Sequence, residues 1–169
     1  ATAVRIRTAA IALPADLPMT PTPPPPPEQG TPSTLPWGDE SGFHSHAVEH
    51  HVVRGSMREP GPITDWIRLR YPLVAGEDTS GLCRMVAAAD FGNGISWVLP
   101  RREGYTFLNP DLTVYPQRTP EGEWICLEAE STVQPHGVAM AESRLWDVRG
   151  PLGRSVQSLL IDRRDDAAI

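Results

Sequence analysis

Leu82, Met85, Val86 and Ala89 recur at i, i+3, i+4 and i+7, a spacing that predicts a short helix over 78–91 with one apolar stripe buried against a sheet. Asp78, Thr79 and Ser80 offer side-chain caps at its start, and Gly92 and Gly94 can stop it. Residues 45–54 and 63–71 alternate like strands; in the second, Ile67, Leu69 and Tyr71 oppose Trp66, Arg68 and Arg70. Four more strands are expected at about 106–116, 123–133, 138–148 and 155–162. Glu121-Gly122, Pro135-His136-Gly137 and the run from Gly150 to Gly153 supply turns between them, and turns this short favour antiparallel neighbours. Strand, strand, helix and four strands predict an α+β domain over 43–164, a long antiparallel sheet wrapped around one central helix.

The chain ahead of that domain has a different pattern. Residues 1–13 are small and β-branched, with Val4 and Ile6 alternating against Arg5 and Arg7, and a lone strand of this kind needs a sheet from elsewhere. Its strand-like opening at Ala1 carries the expectation of something upstream. Ten of the nineteen prolines then fall between Pro14 and Pro36, so 14–42 is expected to be a proline-rich, polyproline-type linker or surface-hugging connector. A ligand for a proline-recognising domain is the alternative. Residues 165–169 are expected to be a tail.

Composition narrows the function classes. The net charge is −6, all fifteen basic residues are Arg and none forms a block, which argues against nucleic acid or an anionic membrane as the main partner. Cys83 and Cys126 are too few for a disulfide framework and match no zinc spacing. With no run of eighteen apolar residues and no evident signal peptide, a reduced, cytoplasmic setting is expected.

Asp90 is the odd residue of the helix. In its last turn a carboxylate faces the negative end of the helix dipole among Ala87, Ala88, Ala89 and Phe91, a poor structural choice and a good general base. Its bland alternative is a turn that caps the amides of 91–94. On one face of the strand 106–116, Asn109, Asp111, Thr113 and Tyr115 present hydrogen-bonding groups, although Asn109 before Pro110 also reads as turn chemistry. Gln157 shares a face with Leu159 and Ile161, where an amide needs a partner, and Asp90 is the obvious one; a core-satisfied amide is the other reading. His44, His46 and His50 would point one way on a strand, but without an acidic or thiolate ligand at suitable spacing they read as a strand edge or interface with His51, and no metal is expected. Cys83, beside Leu82 and Val86, reads as a small hydrophobe.

Five stretches together resemble the acyl-CoA thioesterase II-like, double-hotdog family: Trp66-Ile-Arg-Leu-Arg70, Ala89-Asp-Phe-Gly-Asn-Gly94, the run from Phe107 to Tyr115, Gly122-Glu-Trp-Ile125 and Gly153-Arg-Ser-Val-Gln157. The resemblance implies that 43–164 is the second of two hotdog units, 1–13 the closing strand of the first, and the proline tract the linker between them. It implies hydrolysis of acyl-CoA to free fatty acid and coenzyme A by a water held by Asp90, Asn109 and Gln157, with Asn109 standing where better-known members carry Thr. No cofactor is implied. The partners implied are the acyl-CoA substrate and a second hotdog unit, from another chain or by self-association. Asp111 and Thr113 read as structural or as substrate-facing, Arg101 and Arg102 after Pro100 as a contact to the coenzyme A phosphates or a solvated basic pair, and Trp37, Trp66, Trp97, Trp124 and Trp146 as part of an acyl tunnel or as ordinary packing. The alternatives are a non-catalytic acyl-CoA or acyl-chain binding module and a structural subunit of a hotdog assembly.

Overall fold

A computed structural model describes residues 1–4, 6, 9–14, 21–36, 42–100 and 103–163. Among these, eight strands form one antiparallel sheet: β1 Thr31–Ser33, β2 Val48–Arg54, β3 Ile63–Leu69, β4 Tyr105–Leu108, β5 Thr113–Pro116, β6 Trp124–Val133, β7 Val138–Asp147 and β8 Gly150–Arg163. Their order is β1-β2-β3-β6-β7-β8-β4, with β5 also on β8. Alternation gives the sheet two faces of different character. Ile63, Ile67, Ile125, Leu127 and Leu145 point inward onto the helices, whereas Trp66, Cys126 and Trp146 form a cross-strand row on the outer face.

Helix α2, Gly81–Ala89, starts where Ser80 Oγ accepts the Cys83 N–H at 3.2 Å, and Asp90 caps its end. The chain then bends at Phe91 into a single further turn, α3 Gly92–Ile95, so two helical pieces replace the one expected. The buried stripe also differs. Met85, Ala88 and Ala89 face the sheet, where the two alanines let the helix approach closely, while Leu82 and Val86 remain 49% and 42% exposed and Cys83 is exposed as well.

The strand expected over 106–116 is two strands on the same edge of β8. Leu108 pairs with Leu160 and Thr113 with Val156, leaving 109–112 off the ladder opposite 157–159. Pro110 has no N–H to donate there, and the Asp111 carboxylate takes the place of a strand carbonyl by accepting the Ser158 N–H at 2.8 Å. Strand β8 itself begins at Gly150, inside the expected turn. Gly153 has φ +143° and lies so near Tyr115 that an added Cβ would sit 1.9 Å from the Tyr115 carbonyl oxygen, so only glycine lets β5 pair there. His44 and His46 lie in a one-turn helix, α1 Phe43–His46, rather than in the strand expected from 45.

The proline tract is not a free spacer. Pro24 and Pro27 are buried, a 3₁₀ turn follows over Pro27–Gln29, and β1 adds to β2 with Pro32 opposite His51. The described residues of 1–14 are exposed and belong to no strand. Among the described residues no helix is long and apolar enough to cross a membrane.

Candidate functional site

The bend between α2 and α3 is held from β8. Gln157, 1% exposed, donates from Nε2 to Asp90 Oδ1 at 3.2 Å and to the Asp90 carbonyl at 3.3 Å, while its Oε1 accepts the Asn93 N–H at 3.0 Å. Because the Asn93 amide can only donate, Oε1 must face it and the NH₂ must face Asp90. Gly92 makes room for this contact, since a Cβ there would lie 3.1 Å from both Gln157 Oε1 and Ser143 Oγ. From the break between β4 and β5, Asn109 Nδ2 donates to the same Asp90 oxygen at 3.2 Å. Two neutral amides thus orient Oδ1, and Oδ2 has no hydrogen-bond partner among the described residues. That leaves a lone pair open to a water proton.

Asp90, Asn109 and Gln157 therefore meet, though not as an enclosed group. Asp90 and Asn109 are exposed, so the alanines and Phe91 around Asp90 do not bury its carboxylate in this chain by itself. Asn109 reaches Asp90 from a loop rather than from a strand face. Asp111 spends one oxygen on the sheet edge, and Thr113 stands in β5, half-buried opposite Val156. Arg101, Arg102 and Trp37 lie outside the described residues.

A second carboxylate cluster escaped the sequence reading. Asp147, buried at the end of β7, receives both arms of the Arg118 guanidinium at 2.5 and 2.7 Å and the backbone N–H groups of Glu121 and Arg149, each at 2.8 Å. Burial by itself would raise its pKa, but the guanidinium and the two amides outweigh burial and hold it below the usual carboxylate range. Arg118 also donates to the carbonyls of Pro151 and Gly150, tying the start of β8 to the loop after β5.

His50 does not join His44 and His46. It turns inward, 3% exposed, with Nδ1 2.6 Å from Asp65 Oδ2, and packs edge-on against Phe91 at 5.2 Å between ring centres. Burial pushes the Asp65 carboxyl up despite the His50 hydrogen bond. Asp65 was detectable in the sequence as a charge two residues before Ile67 on the apolar face of its strand. Among the described residues no three His, Cys, Asp or Glu side chains gather as a metal site would require. Burial likewise raises the Cys126 thiol well above its ordinary value. Trp66, Trp124 and Trp146 lie on the outer face, opposite Gln157, and Trp97 donates to the Met57 carbonyl at 3.0 Å.

A family model, the acyl-CoA thioesterase C-terminal domain, matches residues 14–161. The chain belongs to this family. The acyl-CoA thioesterase C-terminal domain here is a hotdog fold, and its solved neighbours share that architecture. An acyl-CoA thioesterase II, TesB2, from Mycobacterium marinum is similar over 94% of this chain and 60% of its own, with 19% identity and a TM-score of 0.62. A thioesterase II candidate from Thermobifida fusca is similar over 90% and 57%, with 18% identity and a TM-score of 0.62. A hotdog protein of unknown function from Alicyclobacillus acidocaldarius is similar over 94% and 59%, with 18% identity and a TM-score of 0.61. The chain thus spans about 60% of the first of these structures. No curated protein sequence matches it.

Proposed function

We propose that this chain is the C-terminal hotdog unit of an acyl-CoA thioesterase, with Asp90, Asn109 and Gln157 activating the hydrolytic water. The observation that carries the reading is the exposed Asp90 carboxylate, one oxygen held by two amides 3.2 Å away and the other without a partner among the described residues. Oδ2 takes a proton from water as the water oxygen attacks the thioester carbonyl carbon. The tetrahedral intermediate collapses, the C–S bond breaks, and the sulfur leaves as coenzyme A with that proton, giving free fatty acid. The amides hold Oδ1 in place, and Oδ2 is the oxygen that accepts the proton. Asp111 and Thr113 border the site, and Arg101 and Arg102 meet the nucleotide phosphates. The step needs no cofactor.

An exposed Asp90, flanked on α2 by exposed Leu82 and Val86, lacks the cover that excludes bulk water from a reaction centre. We assign that cover to a second hotdog unit, supplied by another chain or by a second copy, with 1–13 closing its sheet and 14–42 connecting the two. A cytoplasmic setting accords with two unpaired thiols.

Release of free thiol from medium- and long-chain acyl-CoA tests the reading. Wild type turns over, and Asp90→Ala is slower by about 10²–10⁴-fold, the usual worth of acid–base assistance. Equal rates overturn the catalytic assignment. Binding of acyl-CoA without thiol release by either protein makes the chain a non-catalytic acyl-CoA module, the reading that Asn109 in place of Thr permits.

A further inference from the structure

The outer face of the sheet carries a second binding feature, unrelated to thioester chemistry. Ahead of β1 the chain lies against that face, and two carbonyls of the proline run meet donors from it: Trp66 Nε1 donates to the Pro25 carbonyl at 2.7 Å and His51 Nδ1 to the Pro27 carbonyl at 2.8 Å. Pro26 has φ −68° and ψ 161°, the polyproline II conformation. An ideal polyproline helix repeats every three residues and puts i and i+3 on one face; here Pro24 and Pro27, the latter opening the 3₁₀ turn, are the buried pair. The seat is aromatic. The His51 and Trp124 rings lie 4.7 Å apart, the Arg68 guanidinium lies 4.8 Å from the Trp124 ring centre, and Trp66 is part of the row with Cys126 and Trp146. Gly30 then runs against His51, where a Cβ would come within 2.8 Å of the His51 Cβ, fixing the strap's exit.

We propose that Trp66, His51 and Trp124 form a recognition groove for a Pro-x-x-Pro segment in polyproline II form, filled in this chain by its own Pro24–Pro27. Spaced prolines on an aromatic floor, with an indole N–H donating to a ligand carbonyl, are the physical elements by which extended proline-rich peptides are held. A polyproline helix is preformed, so docking it orders little new chain, and its carbonyls are uncommitted because prolines donate nothing. The groove takes a proline-rich segment supplied in trans once its own strap is displaced. In place, the tethered strap competes at an effective concentration of about 1 mM, and a free peptide binds the intact chain correspondingly more weakly.

The test uses the full chain and a synthetic peptide of residues 21–30. In a chain carrying Pro24→Ser, Pro25→Ser, Pro26→Ser and Pro27→Ser together, the groove is vacated. The peptide binds this chain at least tenfold more tightly than wild type, and adding Trp66→Phe lowers that affinity at least fivefold. No binding to the folded, vacated chain, or binding indifferent to Trp66→Phe, overturns the proposal. If the vacated chain does not fold, wild type decides. Millimolar peptide speeds cleavage after Glu28 by a Glu-specific protease at least twofold, whereas a peptide with its prolines replaced by serine does not. Equal cleavage with both peptides is the contrary result.

Discussion

Asp90 and Asp147 both end an element at a bend beside β8, yet their surroundings differ in every respect that matters for reactivity. Asp147 is buried, and both its oxygens are taken by a guanidinium and two backbone amides. Asp90 is exposed, touches no cation among the described residues, and has one oxygen held by side-chain amides. A carboxylate saturated by a cation and two amides joins elements and resists protonation. A carboxylate oriented by neutral donors on one oxygen keeps its other oxygen for chemistry.

Removing the partner from each should separate the two roles. Arg118→Ala leaves a buried carboxylate without its cation and should lower the unfolding free energy by about 3 kcal/mol in urea. The same contrast predicts the acid limb. Asp147 is depressed in the folded state, so its contribution is complete above the unfolded value of about 4 and is lost as pH falls through the lower folded value. Unfolding free energy against pH should therefore drop steeply below about pH 4 in wild type and less so in Arg118→Ala.

Smaller effects belong to the Asp90 corner. Gln157→Ala orphans the Asn93 N–H and one donor to Asp90, and should cost about 1–2 kcal/mol in the same urea measurement. Gly92→Ala, which crowds Gln157 Oε1 and Ser143 Oγ at 3.1 Å, should displace that amide slightly and slow thioester hydrolysis severalfold at little cost in melting temperature. Smallest of all, Asn109→Thr should change stability by less than about 0.5 kcal/mol, because the residue is exposed on a loop.

Local pattern made some of this readable and distance hid the rest. Asp90 stood out as a charge at the end of an alanine-rich helix, and Gln157 as an amide in step with Leu159 and Ile161; the hotdog fold followed from the strand order and the five stretches that resemble the family. The Arg118–Asp147 lock joins residues 29 apart with no periodic signal between them. His50 and Asp65 pair across neighbouring strands; His50 was read only along its own strand, and Asp65 was not singled out. At Pro110 a missing N–H outweighed an alternation that otherwise favoured one continuous strand. The strap's docking was hidden for a different reason. A proline run shows neither the 3.6-residue nor the two-residue period, and its Pro-x-x-Pro face becomes visible only against Trp66 and His51.

Asp90→Asn and Asp147→Asn, each assayed for thiol release from acyl-CoA and for urea unfolding, test the central claim most directly. The account predicts that Asp90→Asn loses at least about 10²-fold in turnover with its unfolding curve nearly unchanged, while Asp147→Asn loses stability and keeps its rate when folded. Turnover that survives in Asp90→Asn, or that falls only in step with stability in both variants, would contradict it.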